Sequence, residues 1–207
     1  MNNVIIDGED NPITFIFAHG AGAGMEHEFM QSVAKGLSFK GIRVIRFNFP
    51  YMIKRAEDGK RRPPDRAPKL LEAYQEIIEQ VDADKLVIGG KSMGGRMASH
   101  LSEVDKVAAM ACLGFPFHPP GKPEKYKGEH LAELEKPCLI LQGERDTFGK
   151  REEFADFELS GSIRVEFIPD GDHSFKPRKS SGYTEQQNIA LTVEKLSAFI
   201  KEVLNEK

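Results

Sequence analysis

The chain has 207 residues, with 29 Lys and Arg against 32 Asp and Glu, a formal net charge of −3 and 40% apolar residues. That length suits a single domain spanning residues 1–207 with a respectable core. Acids and bases are interspersed, so no broad field favours nucleic acid or an anionic membrane, and no apolar run approaches a membrane span.

In chain order, strands are predicted near Val4–Ile6, Ile13–Ala18, Ile42–Phe47, Lys85–Gly89, Val107–Leu113, Cys138–Gln142 and Ile163–Ile168. Helices are predicted over Glu26–Phe39, Lys69–Val81, Gly94–Glu103, Arg151–Leu159 and Thr184–Val203. The last carries Ile189, Val193, Leu196 and Ile200 on one face, the pattern of a helix laid on a sheet. Continuous apolar strands separated by helices predict an α/β fold, a mostly parallel sheet of about seven strands covered on both faces. Residues 52–68, charged and proline-containing, read as a loop, and the basic cluster Lys60-Arg61-Arg62 inside it reads as solvated. The start of the chain lacks a signal-peptide layout, and Cys112 and Cys138 fall within apolar strands as buried thiols. A cytoplasmic protein is expected.

Gly90-Lys91-Ser92-Met93-Gly94 lies between a predicted strand and a predicted helix. A Gly-x-Ser-x-Gly in that position is the nucleophile elbow, a sharp turn that presents the serine hydroxyl above the sheet edge. Small flanking residues are required because strand and helix pass close together. An activated serine needs a base, and the base an orienting carboxylate. Asp146 follows the strand ending at Gln142, and His173 follows the strand ending at Ile168, in the chain order Ser, Asp, His. Singly, Asp146 also reads as a turn or cap residue and His173 as a solvated loop histidine; order and strand ends together favour a triad. An oxyanion hole would take one backbone N–H from Met93 and a second from the loop His19-Gly20-Ala21-Gly22-Ala23-Gly24, at Ala21. His19 reads as a residue pinning that loop.

The glycine loop has a rival reading as a dinucleotide site. Gly20 and Gly22 would be its first two glycines, but Met25 stands at the third and Asn48 where a ribose-binding acid is expected. A phosphate loop is excluded by Lys85 at its first glycine position. Neither a cofactor nor a metal is expected.

On these motifs, with Gly114-Phe115-Pro116-Phe117-His118-Pro119-Pro120 and Asp172-His173-Ser174-Phe175, the chain resembles the α/β-hydrolase superfamily over nearly its whole length. Within it, the chain resembles a group related to dienelactone hydrolases that includes testis-expressed protein 30 and the third subunit of the non-specific-lethal complex. The resemblance implies catalytic Ser92, Asp146 and His173 and an eight-stranded, mostly parallel template. One edge strand of that template is expected to be missing. The stretch from Phe115 to His130 is too short for a lid domain. Phe115 and Phe117 either line an acyl pocket or pack their own loop, and Tyr51 is a candidate for the pocket rim. The expected function is a serine esterase acting on a small acyl substrate through Ser92, His173 and Asp146. A thioesterase or peptidase, and a non-enzymatic binding or scaffold protein on the same fold, are the alternatives.

Overall fold

The computed structural model describes residues 3–205. Seven strands form one sheet: β1 (Val4–Asp7), β2 (Ile13–Ala18), β3 (Ile42–Phe47), β4 (Leu86–Lys91), β5 (Val107–Leu113), β6 (Cys138–Gly143) and β7 (Ile163–Ile168). Their spatial order is β1-β3-β2-β4-β5-β6-β7. All neighbours are parallel except β1, which runs antiparallel to β3 with Val4 opposite Phe47. The expected strands are therefore all present, and the sheet is one strand short of the eight-stranded template.

Side chains alternate along each strand, so the sheet feeds two separate cores. On one face, Phe15, Phe17 and Val44 pack with α1 (Glu28–Phe39) and α5 (Glu185–Asn205). On the other, Ile16, Ala18, Ile45 and Phe47 pack with α2 (Pro50–Asp58), α3 (Ala67–Gln80) and α4 (Met93–Ser99). The α5 start is a reciprocal cap. The Gln187 N–H donates to Thr184 Oγ1 (3.1 Å) and the Thr184 N–H to Gln187 Oε1 (2.9 Å).

Two segments depart from expectation. Residues 50–58, mostly assigned to a loop, form α2, with Pro50 in its first turn and Gly59 at φ 69° behind it. That proline-start, glycine-stop pattern was legible, but the charged residues between hid it. The helix expected over Arg151–Leu159 shrinks to a single 3₁₀ turn, Arg151–Ala155. Phe154 in the turn and Phe157 beyond it both pack on Phe117, with ring centroids 5.0 and 4.3 Å away.

From β2 the chain passes to β3 on one side and then crosses back to β4 on the other side of β2. The loops at the carboxyl ends of β2 and β4 diverge there and leave a crevice, the usual place for a ligand in an open α/β sheet.

Candidate active site

The crevice begins with a steric constraint. A Cβ on Gly90 would lie 2.4 Å from the Gly94 carbonyl carbon, and one on Gly94 would lie 2.5 Å from the Ala18 carbonyl oxygen. Backbone meets backbone there, so only glycine fits. Between them Ser92 is held at φ 51°, ψ −117°, a conformation L residues rarely adopt. Its own N–H donates to Leu113 O (2.9 Å), which ties the turn to β5.

The three residues drawn from separate strand ends converge. His173 Nε2 lies 2.8 Å from Ser92 Oγ, and His173 Nδ1 lies 2.8 Å from Asp146 Oδ2. A carboxylate cannot donate, so Nδ1 carries the proton and Nε2 is left to accept from the serine hydroxyl. Burial holds the imidazole's pKa below its ordinary 6.5, with Lys91 adding to the effect and Asp146 and Asp172 opposing it. The ring is thus a neutral base at neutral pH. Glu144 and Asp172 are engaged elsewhere: Glu144 binds Arg151 and the Asp170 N–H, while Asp172 accepts the N–H groups of Ser174 and Lys176.

Asp146 is fully buried. Besides His173, its carboxylate accepts from the Phe148 N–H (2.9 Å) and from Gln142 Nε2 (3.1 Å). Gln142 also accepts from the Phe115 N–H (2.8 Å) and lies 3.1 Å from the Gly149 carbonyl, so one amide ties the loop after β5 to the loop that carries the carboxylate. The Phe148 ring stacks on the imidazole, with centroids 4.2 Å apart. Sequence reasoning missed both residues. Gln142 had a signal, a lone amide at the end of the apolar run Cys138-Leu139-Ile140-Leu141; Phe148 had none.

His19 is buried, its pKa pushed down to about 4 by desolvation. Its Nε2 accepts from the Phe49 N–H (3.0 Å), so Nδ1 carries the proton and donates to Gly20 O (2.6 Å). Tyr51 Oη reaches Gly20 O (3.3 Å) and donates to Ala21 O (2.8 Å). In a planar trans peptide, C=O and N–H point oppositely. Holding the Gly20 carbonyl therefore turns the Ala21 N–H the other way. The Met93 N–H, first in α4, lacks an acceptor one turn earlier in the helix.

A cavity of about 310 Å³ covers this constellation, lined by Gly20 to Ala23, His27, Phe29, Met30, Lys91, Ser92, Phe148, His173 and Ser174. None of the expected substrate-binding side chains reaches it. Tyr51 is buried beneath the glycine loop and holds it from below. Phe115 and Phe117 are fully buried, and Phe117 lies among Phe115, Tyr126, Phe154 and Phe157. Their proline-rich neighbourhood packs itself, and Phe29, Met30 and Phe148 line the cavity instead. Among the described residues, no cluster of His, Cys, Asp and Glu has the makings of a metal site.

Residues 11–201 match the alpha/beta hydrolase domain family, and the chain belongs to it. Among solved structures, it is similar to Est1E from Butyrivibrio proteoclasticus with ferulic acid bound. That match has a TM-score of 0.71 at 19% identity, over 99% of this chain and 96% of that one. It is also similar to a dienelactone hydrolase from Anabaena variabilis, with a TM-score of 0.69 at 20% identity over 97% and 91% of the two chains. XC6422 from Xanthomonas campestris, described as a serine hydrolase without a lid, superposes with a TM-score of 0.66 at 19% identity over 98% and 87%. The fold is thus an α/β-hydrolase fold, and the protein is of the hydrolase class.

Gln142→Leu keeps the volume but leaves the Phe115 N–H without its acceptor and Asp146 with one donor fewer. Urea unfolding should show a loss of about 1–3 kcal/mol. An unchanged midpoint would mean that the loops are held by other contacts.

Proposed function

We propose that the protein is a serine hydrolase, a carboxylesterase acting on small acyl esters through an acyl-enzyme. The observation that carries this reading is the unbroken hydrogen-bond line from Ser92 Oγ through the His173 ring to the buried Asp146 carboxylate. Ser92 Oγ attacks the ester carbonyl while His173 Nε2 takes its proton. Asp146 holds the ring in the required tautomer and stabilises the imidazolium. The Ala21 and Met93 N–H groups receive the developing oxyanion. His173 then returns the proton to the departing alcohol, and water enters by the same route in reverse to release the acid. Chain atoms perform every step. The dienelactone hydrolase among the structural neighbours supports the ester class. We further place the chain beside testis-expressed protein 30 and the third subunit of the non-specific-lethal complex, on the motifs around His19, Ser92, Gly114 and His173. No helix among the described residues is long and apolar enough to cross a membrane. A cytoplasmic setting is part of the proposal, supported by the free, buried thiols of Cys112 and Cys138.

A fluorophosphonate probe should add to Ser92 alone, as read by intact mass and peptide mapping. An adduct that persists in Ser92→Ala would refute the assignment. Asp146→Asn should lower kcat by roughly 10³–10⁴, the scale for a neutralised triad acid, with Glu144→Gln and Asp172→Asn far milder. In the wild type, the acidic limb of kcat/KM should fall below pH 6.5, because the free imidazole protonates only below its ordinary range. A limb at or above that value contradicts the burial argument.

Substrate size follows from the small, lidless cavity. Each methylene left in water forgoes about 0.8 kcal/mol, so efficiency on activated esters should stop rising after a few carbons. Efficiency that climbs steadily to long chains would instead place the acyl group in the larger groove between α1 and α5. That groove, of about 780 Å³, shares His27, Phe29 and Ser174 with the cavity.

A further inference from the structure

Lys91 ends β4 directly before the nucleophile, but its side chain serves a segment 82 residues further on. Its Nζ donates to the main-chain carbonyl of His173. The residue is only 8% exposed, although it carries an ammonium. The Nζ lies 5.5 Å from the centroid of the Phe29 ring and 6.0 Å from that of Phe175, two rings that themselves meet edge to face. At the end of β5, Gly114 stands aside for the contact. A Cβ there would lie 2.9 Å from Nζ and 3.0 Å from the His173 carbonyl oxygen.

A methionine or leucine would fill this space without the desolvation cost of a buried ammonium. The charge and its donors therefore need an account that packing does not supply. We propose that Lys91 is a positioning residue for His173: its ammonium clamps the main chain of the histidine loop to the nucleophile elbow and sets a fixed positive charge beside the imidazole. The proposal rests on the hydrolase reading of Ser92 and His173 and deepens it.

The charges around the imidazole decide the sign. Asp146 faces it from the loop after β6, Asp172 acts from its own loop, Lys91 acts from β4, and His27 lines the same cavity from the start of α1. The carboxylates favour protonation of His173 and Lys91 disfavours it. Burial pulls Lys91 itself down to about 8, with Asp146 and Asp172 opposing, so the ammonium is present throughout the acidic range where His173 titrates. Removing the charge leaves the carboxylates unopposed, and the imidazole then gains its proton at higher pH.

The test compares wild type, Lys91→Met and Lys91→Arg after thermal melts confirm folding. His173 is titrated by imidazole ¹⁵N NMR, and the pH dependence of kcat/KM is measured on a short activated ester. Lys91→Met should move the His173 titration and the acidic limb together to higher pH and lower kcat roughly 10- to 100-fold with KM little changed, the scale of a slightly misplaced base. Lys91→Arg, which keeps the charge, should titrate near wild type and recover part of the rate. An unmoved titration in folded Lys91→Met overturns the proposal whatever happens to kcat. If Lys91→Met does not fold, Lys91→Gln removes the charge and keeps a donor for the same comparison. The NMR arm needs no turnover, so a wild type without Ser92-dependent activity would sink the hydrolase reading and still leave this comparison decisive.

Discussion

The site depends on one contact between backbones, where the carboxyl end of β2, the elbow after β4 and the first turn of α4 meet with no room for a side chain. Gly94 sits against the carbonyls of Ala18 and His19, and Gly90 against Gly94 and Gly95. That closeness keeps Ser92 in its strained conformation, which costs of the order of 1–3 kcal/mol and persists only where surroundings over-determine it. It also brings the glycine loop after β2 within reach of the serine. The Met93 N–H and the Ala21 N–H come from the two sides of this junction, so a Cβ at Gly94 would disturb Ser92 and both N–H groups together.

A second junction does the same for His173. Gly143 lies so close to the His173 loop that a Cβ would sit 2.3 Å from the Asp172 carbonyl oxygen. The Arg145 N–H donates to Gly171 O (2.9 Å), and the Arg145 side chain donates to Asp170 O (2.9 Å). The Asp146 loop and the His173 loop are thus one laced unit at the ends of β6 and β7. The Lys91 ammonium then joins this unit to the elbow across Gly114. The relative placement of Ser92 and His173, which sets the hydrogen bond between them, passes through few contacts and is correspondingly sensitive.

What could be read from the sequence divides along these lines. Strands were legible because their apolar runs are short, β-branched and bounded by turns, and every expected strand is present. The elbow was legible because glycine at fixed spacing reports a steric demand. Side chains whose role depends on the third dimension were not. Tyr51, taken for a pocket rim, supports the glycine loop from below; Phe115 and Phe117 fill an aromatic cluster. Pattern alone gives burial, not which of several buried surfaces a ring joins. Gln142 and Lys91 show the opposite failure: each is a polar residue ending a buried strand, a local inconsistency that marked a partner elsewhere. The helix missed at α2 and the one over-called after Lys150 fail differently. At α2 the caps overrode the charged composition, and after Lys150 the chain leaves the 3₁₀ turn before Phe157 joins the Phe117 cluster.

The alternative of a binding or scaffold protein on a hydrolase fold can be weighed on energy. Ser92 is strained, Asp146 is an ionisable group without solvent, and Lys91 is a cation seated on two phenyl rings. Each feature is costly in isolation, and the cost is offset by the contacts that converge on them: donors to Asp146, the two rings under Lys91, and the hydrogen bonds through His173. Docking surfaces need none of them, since a partner recognises exterior shape and charge. Proton transfer needs all of them: an exposed hydroxyl, a base kept neutral, an anion to steady it as it charges, and a fixed distance between them. The arrangement spends stability where acyl transfer requires it, which is the physical ground for preferring the hydrolase reading.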